Sequence, residues 1–241
     1  MARRKPSRKA RSGRLSGAFK GLLVLLVLAA VGATYAFYKA RNWRPDEAAW
    51  PDQGALVSAV DGPVAFDTIA GLGGKFVYLE ASEGDDGRDI AFAQNVARAR
   101  KAGLEVGAAH RFDPCQVADG QSANFVTMVP RDADFLPPAI LLDRTAGDCS
   151  SHVSDAAVQS ELMTLVNQIE AHSGKAAILA PSEDFEDLYG VSRRIDRQLW
   201  LARDWAEPDY GARPWLMWTA NGHYRTEAAA NPLRWVVVRP L

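Results

Sequence analysis

Hydrophobic and polar positions fall into three regimes along this chain. Residues 21–37, GLLVLLVLAAVGATYAF, form one uncharged run. Residues 41–54 show no apolar period and contain Pro45 and Pro51, the pattern of a short linker. From residue 55 onward eight apolar segments of strand length recur, at 55–58, 76–80, 106–110, 139–142, 177–180, 199–202, 215–218 and 235–238.

Helical periods lie between many of these segments. Over 154–173, Val158, Leu162, Leu165, Val166 and Ile169 recur at helical spacing, with Ser154 placed to cap the start and Gly174 to end the run. Residues 89–102 read as a second helix, and 181–190 as a shorter one that opens on acids. After about residue 190 the helices thin out. Strands alternating with helices predict a parallel α/β sheet, and eight strands predict its closure into a TIM-like (β/α) barrel over 54–241.

The first regime changes the picture of the whole chain. Its length approaches the roughly 20 residues that cross a bilayer, and Tyr35 and Tyr38 fall where an interfacial aromatic belt would lie. The net charge of −1 conceals eight basic residues before the run (Arg3, Arg4, Lys5, Arg8, Lys9, Arg11, Arg14 and Lys20) with no acid among them. The remaining 20 basic and 29 acidic residues give a balance of −9, which argues against a nucleic-acid surface on the folded part. Only Lys39, Arg41 and Arg44 follow the run, so the positive-inside rule predicts a basic cytoplasmic tail at 1–20 and a single span at 21–38. A linker at 39–53 would then lead to an extracytoplasmic, periplasmic domain held on the inner membrane. Two other readings stay open: a signal peptide cleaved near Val31-Gly32-Ala33, and a buried soluble helix.

An exported compartment permits a disulfide, and the two cysteines, Cys115 and Cys149, have one possible pairing within the chain. A disulfide is the expectation, with two buried thiols as the alternative. Two cysteines supply no four-ligand metal set, and no metal or cofactor is expected. The glycines of GLGGK at 71–75 mark a turn before a strand, since no phosphate-loop Lys-Ser/Thr pair follows.

Four stretches stand in a telling order: KFVYLEASEG at 75–84, GLEVGAAHRFDPC at 103–115, LPPAILLD at 136–143 and PWLMWTANG at 214–222. In order and spacing they resemble the family 25 glycoside hydrolases, the lysozyme-type muramidases. That resemblance implies an irregular barrel whose last strands follow one another with few helices between them, and a catalytic mouth built from carboxylates. The family's D-x-E at the end of the fourth strand stands here as Leu141-Leu142-Asp143. Its opening G-x-D-V-S is Gly54-Ala55-Leu56-Val57-Ser58, and its closing V-D-x-N matches Leu233-Arg234-Trp235-Val236. Leu56, Leu141 and Arg234 thus replace three family acids, Asp143 shortens the fourth, and Glu80 takes the lysine place of K-A-T-E-G. The sugar-contacting W-Q-Y is reduced to Trp218-Thr219-Ala220.

Glycosidic cleavage needs an acid to protonate the leaving oxygen and a second group to stabilise or capture the oxocarbenium ion. Asp143 is the candidate acid and Glu80 a weaker partner. Glu83, His110, Arg203 and Asp204 also fall at or past predicted strand ends. His110, Trp205 and Trp218 are the candidate substrate contacts, whereas Trp200 and Trp215, inside apolar strands, are assigned to packing. The expectation is a membrane-anchored, lysozyme-like domain that engages peptidoglycan or a related glycan with hydrolysis impaired. Two alternatives are an active N-acetylmuramidase rearranged around Asp143 and a non-catalytic cell-envelope scaffold with a protein partner. An open cleft with exposed aromatics favours glycan, and one plugged by Leu56, Leu141 and Arg234 favours the scaffold.

Overall fold

The computed structural model describes residues 13–131 and 134–240, so the basic positions before residue 13 lie outside the described residues. The chain divides between Arg41 and Asn42. On the first side is one 29-residue helix, α1 (Gly13–Arg41). From Phe19 to Arg41 it is long and apolar enough to cross a membrane, and Leu22 to Leu28 are all more than half exposed. A helix apolar on every face has no polar stripe to give to water.

The second side is a closed barrel. Its strands are β1 (Gln53–Val57), β2 (Gly74–Glu83), β4 (Glu105–Arg111), β5 (Ala139–Leu142), β6 (Ile178–Pro181), β7 (Gln198–Ala202), β8 (Met217–Tyr224) and β9 (Leu233–Val238), with the two-residue β3 (Gly87–Arg88) folded back on β2. Neighbours are parallel from β1 through β8, and β9 runs antiparallel to both β8 and β1. The pairing of β1 with both β2 and β9 closes the sheet. A short return from β8 needs no crossover helix, which is why β9 is antiparallel.

All eight expected strands are present. The seventh is displaced, beginning at Met217 and running on to Tyr224. The three expected helices correspond to α3 (Phe92–Lys101), α5 (Asp155–Ser173) and α6 (Glu183–Tyr189), and the short α7 (Val191–Arg194) is the last. Ser154 Oγ accepts from the Ala157 amide, and Gly174 takes the left-handed conformation at φ 71°, as the capping pattern requires. Two helices escaped the hydrophobic reading, α2 (Phe66–Gly71) and α4 (Ala118–Met128). In α4 the sequence ADGQSANFVTM buries Gln121, Ser122 and Asn124 beside Phe125, so the apolar period is broken by polar residues that are inside.

Alternation along each strand separates two cores. Leu56, Tyr78, Leu141, Trp200 and Val236 point into the barrel, while Val57, Leu79, Leu142, Leu201 and Val237 face the outer layer. Tyr78 crosses the barrel interior to donate to Pro137 O at 3.0 Å. That path needs Gly107, because a Cβ there would lie 2.3 Å from the Tyr78 ring.

Residues 42–52, within the stretch at 39–53 read as a linker, belong to this second unit. Trp50 stacks on Trp215 with centroids 5.9 Å apart and meets Trp218 at 5.5 Å, and Trp43 approaches Trp218 at 6.3 Å. Fully buried Gln53 sews the segment down, donating to Pro45 O and Trp50 O while accepting from Trp235 Nε1 at 2.7 Å. Asn221 Nδ2 donates to Trp43 O at 2.7 Å. Where helices are absent over the last strands, tryptophans from this segment cover the sheet. Trp50→Ala should therefore cost about 2 to 4 kcal/mol in chemical denaturation of the full chain, somewhat below the roughly 3 to 5 kcal/mol of a fully buried ring because Trp50 is half-buried. An unchanged unfolding midpoint would make the segment a free linker after all.

Candidate functional site

Strand periodicity and one irregularity build the mouth. On β2, residues 76, 78 and 80 alternate inward, and a bulge between Glu80 and Ser82 then sets Ala81 as an extra residue. Glu80 is thus the last inward side chain of β2. On β4 the inward positions are Ala109 and Arg111, and Asp143 follows β5 directly. Leu56 and Arg234 are direct neighbours across the β1–β9 pair.

Arg111 occupies the centre. Its Nη2 donates to both oxygens of Glu80 at 3.0 Å, and its Nη1 donates to Asp143 Oδ2. Arg234 holds Glu80 from the other side, with Nη2 2.5 Å from Oε1, and lies 3.9 Å from buried Asp61. Arg144 bridges Glu83 at 2.9 Å and Asp113 at 3.2 Å. Cys115 and Cys149 are joined by a disulfide that ties the loop after β4 to the loop after β5, on either side of this ion pair.

Two adjoining cavities open here. The first, about 630 Å³, is lined by Ser58, Asp61, Glu80, Glu83, Arg111 and Arg144 among others. The second, about 380 Å³, has an apolar floor of Leu56, Leu141, Ala180, Pro181 and Trp200 under Asp143, Arg203, Asp204 and Thr219. Asp143 and Arg234 line both. Leu56, Leu141, Asp143 and Arg234, four positions scattered over the sequence, therefore meet at one mouth, with Glu80 beside them. The leucines form a floor and leave the cleft open.

Other candidates are placed differently. His110 is not a substrate contact: it is fully buried on the outer face of β4, edge-on to Phe125 of α4. It sits one residue out of phase with the mouth, which receives Arg111 instead. Its Nδ1 lies 2.9 Å from Ser82 Oγ and its Nε2 3.3 Å from Gln121 Oε1. Trp218 is likewise removed from any ligand face, being 3% exposed among Trp43, Trp50 and Trp215 and donating to Arg203 O at 2.8 Å. Trp205 is half exposed and is the one non-glycine residue among those described with positive φ, at 64°, held by its amide on Ala220 O. Trp200 packs as expected, inside the barrel against Tyr78, with Nε1 donating to Thr219 Oγ1 at 2.8 Å.

The sequence reading passed over Arg111 and Arg144. Arg111 was visible as an inward position at a strand end, two residues after Ala109, had the phase of β4 been set. Arg144 depends on loop geometry that no periodicity reports.

Burial pushes His110 down to about 4 from an ordinary 6.5, with the Gln121 hydrogen bond opposing only in part. Between those two values the unfolded chain takes up a proton that the folded chain refuses, so stability falls as pH drops through that window, by about 3 kcal/mol in all. Unfolding free energies measured from pH 7 to 4 should fall more steeply in the wild type than in His110→Gln. Equal slopes would count against a neutral buried imidazole.

The family model for Glycosyl hydrolases family 25 matches residues 57–227. A family 25 glycosyl hydrolase from Bacillus anthracis superposes with a TM-score of 0.74 at 23% identity, over 83% of this chain and 94% of that one. The bacterial lysozyme from Streptomyces coelicolor gives 0.68 at 18% identity, over 78% and 92%. A muramidase from Trichobolus zukalii gives 0.66 at 23% identity, over 79% and 94%. No curated protein matches the sequence. At these identities the structural neighbours speak for the fold, and the family model, spanning most of the chain, speaks for membership: this protein belongs to glycosyl hydrolase family 25.

Proposed function

We propose that this protein is a membrane-anchored family 25 domain that engages peptidoglycan through its barrel mouth and does so with the family's hydrolysis impaired. One observation carries the second half of this reading. Both carboxylates at the centre of the mouth, Glu80 and Asp143, are held by Arg111, and Glu80 by Arg234 as well. A proton donor needs its oxygen for the glycosidic oxygen, and an oxocarbenium ion needs a placed negative charge. Here the guanidinium groups already match those charges. Leu56 and Leu141 can supply neither function, so a developing cation meets no uncompensated negative charge at the centre of the mouth.

Engagement of glycan is supported by the open mouth and by the family, whose members act on peptidoglycan. The partition proposed is a basic cytoplasmic tail at 1–20, a span at 21–38, a connecting segment at 39–53 and a barrel from 54 in the periplasmic space. A disulfide in the folded domain is at home in that oxidising compartment. The rival reading, an active muramidase centred on Asp143, draws support from that residue's lining both cavities at 43% side-chain exposure.

Full-length protein in detergent should co-sediment with purified peptidoglycan sacculi yet release reducing ends no faster than a blank, with Asp143→Ala indistinguishable from wild type. Release that disappears in Asp143→Ala would establish the rival. For the topology, a periplasm-dependent reporter fused after Leu241 should be active and a cytoplasm-dependent one silent. The reverse pattern would place the barrel on the other side of the membrane.

A further inference from the structure

The end of the barrel opposite the mouth holds a cavity of its own. Strands β2, β4, β6 and β8 begin there and the antiparallel β9 ends there, around a space of about 280 Å³. Its wall is apolar, made chiefly of Phe76, Tyr78, Leu136, Ile178, Met217 and Val238. A barrel interior is ordinarily filled by layers of inward side chains. Here two inward positions are glycines, Gly54 on β1 and Gly107 on β4, and rings from β2 take their places. A Cβ on Gly54 would lie 2.6 Å from the Phe76 ring, and one on Gly107 would lie 2.3 Å from the Tyr78 ring. Both rings therefore lie against the strand walls, and the space between them and β6, β8 and β9 stays open.

The polar groups of this cavity are matched except for one. Tyr78 Oη donates to Pro137 O at 3.0 Å, and Lys75 Nζ donates to Asp52 Oδ1 at 2.8 Å, so the hydroxyl and the cation are both engaged. Glu105 differs. It is the first residue of β4, shares the inward phase of Gly107, Ala109 and Arg111, and stands beside Phe76 in the register of β2 with β4. Among the described residues, none donates a hydrogen bond to its exposed carboxylate. Its charge still reaches the cavity: burial first and Glu105 second push the Tyr78 hydroxyl up from its ordinary 10.

We propose that this basal cavity binds a small amphiphilic cation, a primary amine carrying one aryl or short branched alkyl group, with the apolar body inside and the ammonium on Glu105. Size sets the body. An apolar cavity of about 150 Å³ takes up benzene, so one of about 280 Å³ has room for a ring and a short arm. Charge sets the head. Asp52 and Lys75 match each other, which leaves Glu105 as the uncompensated charge at the rim. A neutral or anionic ligand of the same shape leaves that carboxylate without a partner, and an ammonium supplies one. The site stands apart from the mouth, because it shares no lining residue with either cavity there.

The test uses full-length protein in lipid nanodiscs, which keeps detergent out of the cavity, with empty nanodiscs as the blank. The probes are 2-phenylethylamine and 2-phenylethanol, alike in shape and different in charge. By calorimetry the wild type should bind the amine about tenfold or more tightly than the alcohol, the scale of a hydrogen bond to a charged group. Glu105→Gln should bind the two alike, with the melting temperature unchanged because the side chain is exposed. Asp187→Asn, which removes an exposed charge from α6, should keep the wild-type preference. Leu216→Trp sets a larger side chain at the cavity wall and should bind neither probe. A wild type that binds neither probe, or binds both equally, would overturn the site. So would a preference for the amine that survives in Glu105→Gln, or wild-type affinity for either probe in Leu216→Trp.

Discussion

The Arg111 guanidinium is the constraint on which the mouth of this barrel depends. Closing a sheet into a barrel forces the last inward side chains of neighbouring strands to converge, whatever their charge. Here convergence brings Glu80, Asp143 and Arg234 to the same point, and Arg111 between them makes that point tolerable by donating to both carboxylates. Removing the arginine would leave two partly enclosed acids facing each other, a costlier state than the pairing itself is favourable. The same contacts that stabilise the mouth occupy oxygens of both its central acids.

A second consequence concerns where ligand can bind. The charge network takes one half of the mouth, and Leu56 and Leu141 give the other half an apolar floor with carboxylates at its walls. The mouth is thus divided into a paired ionic part and a part with an apolar floor.

Away from the mouth, the structure compensates for an incomplete helical layer. The segment before β1 lays Trp43 and Trp50 over the tryptophans of the last strands, and Gln53 satisfies two carbonyls and an indole at once. The barrel is thus continuous with residues that look like a tether in sequence. An apolar period cannot reveal such a segment, because two rings separated by six polar or small residues have no period.

The fold was largely legible in the sequence. Continuous apolar runs of strand length need burial on both faces, and eight of them alternating with amphipathic stretches leave few architectures besides a barrel. The uncharged run at 21–37 and its basic flank were equally plain, as were the caps at Ser154 and Gly174, because each depends on neighbours a few residues away. That Leu56, Leu141, Asp143 and Arg234 would lie near one another was what the family resemblance implied, and they line one cavity. What tertiary structure decided was phase and company. Whether His110 or Arg111 faces the interior turns on the register of one strand and a bulge in its neighbour, and a shift of one residue exchanges a buried imidazole for the central guanidinium. Trp218 reads as a rim aromatic until the segment before β1 folds over it. The partners of Glu80, Asp143 and Asp204 lie 18 to more than 100 residues away, and which of these acids is matched by an arginine is a property of distance in space, which a linear chain does not record.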